Sequence, residues 1–156
     1  MLRHNATLLI GLLALSISCH AALGEKRAVS VSAPSEHAVQ RRAQPPALQA
    51  AGVSRQSTVL PTGTTLVEYL DASGTVFAVS WTGPVLPDLP DTLGRYFPQF
   101  TAETQRLGRA ARAAGVLNLR TTDLVVHSRG RMRHFSGHAY VPGLVPAGLD
   151  VHDALR

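Results

Sequence analysis

Three histidines near the C-terminal end are the residues best suited to chemistry. His127, His134 and His138 fall within one short region of the sequence. If the stretches around them pair as a hairpin, His127 and His134 share a face, and His138 joins them if the second strand continues straight. Three imidazoles can hold Zn²⁺ or Cu²⁺ with water in an open position. Because the spacing matches no established ligand motif, the alternative is exposed or partly packed histidines on an edge hairpin.

Arginines are interleaved with these histidines. Arg129, Arg131 and Arg133 alternate along the same segment, and Arg120 lies nearby. Such a run can contact an anionic glycan, a lipid phosphate or another protein. The alternative is a solvated edge strand, where charge discourages strand-to-strand aggregation. No aromatic residues are interleaved with the arginines, so the sequence predicts no nucleic-acid binding.

The carboxylates do not form a convincing acid/base pair. Asp71 suits a turn, and Asp88 and Asp91 suit the start of a helix. Glu68 is expected to be solvated. The chain has no GxSxG, GxxxxGK[ST] or HExxH motif and no GxGxxG after a strand, so we expect no enzymatic activity and no cofactor. An unrecognised hydrolase is the alternative in the enzyme class.

The first 21 residues have the three parts of a secretory signal peptide. Arg3 supplies a positive charge, residues 6–18 are apolar, and small residues follow where a signal peptidase cuts. The apolar run is shorter than the roughly 20 residues that span a bilayer. Acylation of Cys19 is an alternative that Ser16 disfavours, because leucine is typical at that position of a lipoprotein signal. We therefore expect cleavage near Ala21, no lipid anchor, and a location in the periplasm or outside the cell.

Composition divides the remaining chain into three parts. Residues 22–52 are rich in Ala, Ser, Gln, Arg and Pro and contain no aromatic residue, which predicts a flexible lead-in. Strand-like patterning begins at Val53. We expect one domain over residues 53–148 and a short tail over residues 149–156.

Three strand-like stretches open this domain: SRQSTVL, TTLVEYL and TVFAVSW. Short turns that end in glycine separate them, which predicts an antiparallel meander. A loop over residues 72–74 pairs Tyr69 with Phe77 and places Trp81 on the same face. This register predicts an inward aromatic layer, with Trp81 in the core rather than in a ligand site. The opposite face is the expected partner surface, formed by Leu66, Leu70, Val76 and Ala78.

One main amphipathic helix is predicted to cover the aromatic layer. Phe97-Pro98 interrupts a short first turn, Thr101 begins the longer helix, and Gly115 ends it. A second hairpin follows, in which Arg129-Gly130 separates TTDLVVHS from RMRHF. The order of strands, helix and strands predicts an α+β fold with an antiparallel sheet, formed by an N-terminal three-stranded meander and a C-terminal hairpin.

Two long stretches carry a family resemblance. TGTTLVEYLDASGTVFAVSWTGPVLPDLPDTLGRYFPQF and DLVVHSRGRMRHFSGHAYVPGLVPAG resemble the hallmark and closing blocks of domain of unknown function 2844. Members of that family resemble exported proteins of Gram-negative bacteria. The resemblance spans about residues 53–148 and implies export, but it supplies no catalytic or cofactor residues.

Together these observations predict an exported, non-catalytic envelope protein with a binding or accessory role beside a protein partner. The alternative is a periplasmic metal-binding protein that uses His127, His134 and His138.

Overall fold

The fold is α+β, as the sequence predicts. The computed structural model describes residues 22–27, 46–108 and 115–155. The predicted signal peptide and Cys19 lie outside these residues. Within the described ranges, no helix is long and apolar enough to cross a membrane.

Six strands form one antiparallel sheet. Their order across the sheet is β1-β2-β3-β6-β5-β4, so two three-stranded meanders meet at β3 and β6. The strands are β1 (Ser54–Val59), β2 (Thr65–Leu70), β3 (Val76–Gly83), β4 (Val116–Arg120), β5 (Val125–Arg131) and β6 (His134–Tyr140). The predicted C-terminal hairpin is therefore β5 and β6, and β4 adds a strand beside it.

The helices lie between the two meanders and at the ends of the described chain. They are α1 (Pro46–Ala50), α2 (Leu89–Leu93), α3 (Phe97–Leu107) and α4 (Val151–Ala154), with short 3-10 turns at Gly94–Tyr96 and Pro142–Leu144. Asp88 caps α2 by accepting a hydrogen bond from the Asp91 backbone. The main helix α3 begins at Phe97 rather than Thr101, because Pro98 is accommodated in its first turn, where no backbone donor is needed.

A bulge makes the predicted register between β2 and β3 wrong over most of its length. Leu70 pairs with Val76 as expected, but Tyr69 pairs with Ala78. Phe77 is therefore an extra residue in β3, and every later residue of that strand is displaced by one position. Because side chains alternate, Trp81 lies on the face opposite Tyr69.

Trp81 lies in what we call the helix-side core. Its side chain is 1% exposed and clusters with Leu66 and Val79 from the sheet and with Leu93 and Phe100 from the helices. Trp81 is thus a core residue, as predicted, but the predicted single aromatic layer is not formed. All four residues that the sequence assigned to a partner surface are buried: Leu66, Leu70 and Val76 lie in the helix-side core, and Ala78 lies in the cluster on the opposite face.

Tyr69 and Phe77 lie in a second cluster, the terminal-side core. They pack with Leu48 of α1 and Ala154 of α4, all of them buried. The sequence predicts a tail over residues 149–156, whereas α4 supplies part of this core. The α1 helix lies in the predicted lead-in, so the folded unit extends beyond residues 53–148 on this side.

The start of the predicted lead-in is also part of the fold. Leu23 is 0% exposed and belongs to the helix-side core. Residues 22–27 run beside the start of β3, where Gly24 donates to the Val76 carbonyl at 2.8 Å and Arg27 donates to the Gly74 carbonyl at 2.9 Å. The intervening residues 28–45 lie outside the described chain.

The β5–β6 turn falls three residues later than predicted. Arg131 pairs with His134, which leaves Met132 and Arg133 as a two-residue turn in place of Arg129-Gly130. Arg133 adopts a φ of 59° and is the one non-glycine residue with a positive φ among those described. Left-handed backbone is disfavoured for residues with a Cβ atom, which is why the sequence predicts a turn at Gly130 rather than at Arg133.

Replacing Arg133 with glycine is therefore expected to raise the free energy of unfolding by about 0.5–1 kcal/mol. Urea denaturation followed by circular dichroism measures this change. Met132→Gly is the matched control, because Met132 has no positive φ to relieve. Stabilisation by both substitutions, or by neither, would contradict the assigned turn.

Candidate functional site

The face of the sheet opposite α3 carries a row of polar side chains. In the observed register, Ser80 pairs with His138, His138 pairs with His127, and His127 pairs with Asn118. These residues belong to four adjacent strands, and period-two alternation places their side chains on the same face. The row lies beside the terminal-side core. This part of the sheet is not covered by α3, which packs on the opposite face.

His127 and His138 form a cross-strand imidazole pair. Their ring centroids are 5.0 Å apart, and the His138 ring stacks beside Tyr140. His127 Nδ1 lies 2.7 Å from Asn118 Oδ1. Because an amide oxygen only accepts hydrogen bonds, Nδ1 carries the proton, and Nε2 of a neutral His127 ring keeps its lone pair.

The pair lines a concavity that we call the histidine groove. Its volume is about 770 Å³. Cationic or imidazole side chains in the lining are Arg55, His127, Arg129, His138 and His152, and the polar uncharged ones are Thr65, Tyr69, Ser80, Thr82, Asn118, Ser128 and Ser136. No aspartate or glutamate is among the described residues that line the groove, and His152 Nδ1 lies 3.7 Å from Asp153 Oδ1.

Burial and neighbouring positive charge lower the pKa of both paired histidines. Burial lowers the pKa of His127, and Arg120 and His152 lower it further. Burial likewise lowers the pKa of His138, with added repulsion from His127 and His152. The folded protein thus resists protonation at this pair, so stability should fall as the pH drops from the ordinary histidine range through the lowered pKa values.

Replacing Arg120 with glutamine is expected to raise the pKa of His127 and leave that of His138 unchanged. The reason is that Arg120 contributes repulsion to His127 and is not among the causes of the His138 shift. An NMR titration of the imidazole carbons measures both values. Arg131→Gln is the control and should move neither pKa. An unchanged His127 titration in Arg120→Gln would contradict the assigned electrostatics.

The structure brings two of the three predicted metal-ligand histidines together. His134 lies at the other end of β6, opposite Arg131, about 13 Å along the strand from His138. His152 enters the groove in its place, although it was not predicted there. Over the described ranges, no group of three or more His, Cys, Asp or Glu side chains is arranged to hold a metal ion.

The predicted arginine cluster is divided by the actual turn. Arg129 lines the groove, whereas Arg131 and Arg133 are exposed near the tip of the hairpin. Sequence reasoning missed Arg55, Asn118 and His152 as groove residues. Once the strand order is known, the alternation of side chains along β1 and β4 indicates that Arg55 and Asn118 face the groove. No signal in the sequence predicts that α4, which carries His152, lies beside the sheet.

The remaining carboxylates have structural roles. Asp71 accepts hydrogen bonds from Ser73 and Thr75 in the β2–β3 turn. The prediction that Glu68 is solvated is wrong: its side chain is 3% exposed, and its Oε2 lies 3.0 Å from Arg27 Nη1. The bulge places Glu68 opposite Val79 on the buried side of the sheet. Neither carboxylate faces the histidine groove.

Comparison with known proteins gives one result that bears on identity. No curated protein and no solved structure matches the chain. A family model described as a protein of unknown function, DUF2844, matches residues 19–154. This match covers nearly the whole chain, including α1 and α4, and agrees with the resemblance noted in the sequence. The chain belongs to the DUF2844 family.

Proposed function

We propose that this chain is an exported, non-catalytic protein of the bacterial envelope that binds a protein partner through its histidine groove. The observation that carries the proposal is the composition of the groove. Within the described part of the chain, five basic or imidazole side chains and a set of hydroxyls line it, and no carboxylate does. Concave sites with a few convergent polar groups are the usual places for binding.

The expectation of export rests on the signal-like first 21 residues. The expected cleavage site lies near Ala21. Removal of residues 1–21 leaves Leu23 as the second residue, and its side chain is fully buried beside α2 and β3. Intact mass spectrometry of protein recovered from the envelope tests this step, and a chain that retains residues 1–21 would contradict it.

A partner surface on the polar face replaces the one expected from the sequence. The apolar residues first assigned to a partner are enclosed by the helices, whereas Thr82 and Arg129 of the groove are exposed. Antiparallel sheets commonly pack one face on a core and leave the other in contact with solvent. The open polar face is therefore the available site for a protein partner.

Affinity purification with a charge-reversal pair tests the proposal. The tagged chain should retain one partner at stoichiometric amounts from the envelope fraction. Arg129→Glu in the groove should lose that partner, whereas Arg106→Glu on α3 should keep it, since Arg106 is exposed on the opposite side of the sheet. Retention by both variants, or loss from both, would contradict binding at the groove.

A metal titration separates this proposal from the metal-binding alternative. The thermal unfolding temperature should not change with Zn²⁺ or Cu²⁺ if the groove binds protein alone. A metal-dependent increase that His127→Ala and His138→Ala both abolish would contradict the proposal and support an imidazole metal site.

A further inference from the structure

The charge and the width of the histidine groove indicate the chemistry of its occupant. Resting on the function proposed above, we infer that the groove binds an extended acidic segment of the partner, with aspartate or glutamate carboxylates meeting Arg55 and Arg129. This identifies a class of ligand that the proposed partner must present.

The first support is charge complementarity. Among the residues that the structure describes, the groove lining carries the guanidinium groups of Arg55 and Arg129 and no carboxylate. Carboxylates paired with guanidinium groups form strong, directional hydrogen bonds. The chain itself offers little to neutralise this surface, because Glu36 is the one acidic residue outside the described ranges.

The second support is the separation of the two arginines. Arg55 lies on β1 and Arg129 on β5, and four strand spacings separate these strands in the sheet. At about 4.8 Å per spacing the two strands are roughly 19 Å apart, and the register places Arg129 four residues, or about 13 Å, further along the strand direction than Arg55. The two positions are therefore roughly 23 Å apart, which an extended peptide of about seven residues spans. A single phosphate or carboxylate cannot reach both ends, whereas an acidic segment can.

The third support is the lack of an exposed aromatic platform in the described groove. Tyr69 is 2% exposed and Trp81 is 1% exposed. Single-stranded nucleic acids bind mainly by stacking their bases on accessible aromatic rings, so this groove is poorly suited to them. Hydroxyls and imidazoles between the arginines instead offer hydrogen bonds to peptide carbonyls and carboxylates.

Calorimetric titration with short synthetic probes tests the inference. The protein is purified from the envelope of cells that express the full-length gene. A ten-residue glutamate peptide should bind, and a ten-residue glutamine peptide should not. Arg129→Gln should weaken binding of the glutamate peptide about tenfold, since it removes one charged hydrogen-bonding group. Arg106→Gln on α3 should leave the affinity unchanged.

The comparison probes distinguish failure of this inference from failure of the proposed function. Tighter binding of an oligouronate or an oligothymidylate than of the glutamate peptide would overturn the acidic-segment assignment. So would equal weakening by the two arginine substitutions, which would show nonspecific charge attraction. If the glutamate peptide does not bind but Arg129→Glu still loses the partner, this inference falls and the groove remains the partner site. If the partner is also unaffected, both fall.

Discussion

Replacing Arg27 with alanine is expected to lower the free energy of unfolding by about 3–5 kcal/mol at neutral pH. Arg27 lies 3.0 Å from Glu68, whose side chain is 3% exposed. Removing the guanidinium leaves a buried carboxylate without its charge partner, and that is far more costly than losing an exposed ion pair. Chemical denaturation followed by circular dichroism measures the change.

The pH dependence identifies the cause of this loss. Burial raises the pKa of Glu68, and Arg27 opposes that rise. A carboxyl group with a raised pKa in the folded state contributes stability below its unfolded pKa, and this is lost as the pH rises through the folded value. The destabilisation by Arg27→Ala should therefore shrink as the pH falls through the raised pKa of Glu68, because the carboxyl group becomes neutral.

Two control variants sharpen the test. Lys26→Ala changes a neighbouring exposed residue and should shift stability by less than about 0.5 kcal/mol. Adding Glu68→Gln to Arg27→Ala should recover part of the loss, because the buried charge is gone. An Arg27→Ala variant as stable as the native protein would show that residues 22–27 do not hold their place beside β3.

Replacing Trp81 with alanine is the second large expected effect, a loss of about 3–5 kcal/mol. The indole is 1% exposed and packs with side chains from the sheet and the helices. It also lies against Gly137 of β6, where a Cβ atom would come within 2.5 Å of Trp81 Cζ2. The same contact means that Gly137→Ala should overpack the core and cost about 1–3 kcal/mol.

Met132→Ala provides the comparison for Trp81→Ala. Met132 is an apolar residue that is 97% exposed, so its truncation should change stability by less than about 0.5 kcal/mol. Urea midpoints of the two variants measure the difference. Similar small effects from both substitutions would place Trp81 outside the core and contradict the observed register.

Local signals were sufficient to predict the class of the fold. Asp71 and Gly74 lie in the turn between β2 and β3. The Asp71 side chain accepts a hydrogen bond from the Thr75 backbone, and Gly74 has a positive φ, as is typical of turn residues. The capping aspartate at the start of α2 was predicted for the same reason. These features depend on a few neighbouring residues, which is why sequence alone identified them.

The register between β2 and β3 is determined by contacts with parts of the chain that are distant in sequence. Nothing in TVFAVSW distinguishes a regular strand from one with Phe77 bulged. The bulge buries Phe77 beside α1 and α4 and Trp81 beside α2 and α3, so it satisfies two cores that form only in the whole fold. A one-residue error in register was enough to exchange the predicted packed and partner faces.

The candidate site was predicted in part. His127 and His138 do lie together, because residues of one antiparallel hairpin remain close in most registers. The position of the turn was predicted wrongly because Arg133 adopts a positive φ, and an arginine in the sequence does not indicate such a backbone conformation. His152 and Arg55 lie in the groove because distant parts of the chain pack together. The pattern of residues within one segment does not predict such contacts.

The most direct test of the groove as the partner surface is site-specific photocrosslinking in living cells. A photoreactive phenylalanine is placed at Thr82, exposed in the groove, or at Gln105, exposed on α3. We predict one discrete crosslinked protein from position 82, lost when Arg129→Glu is added, and none from position 105. A crosslink from position 105 with none from position 82 would contradict the account.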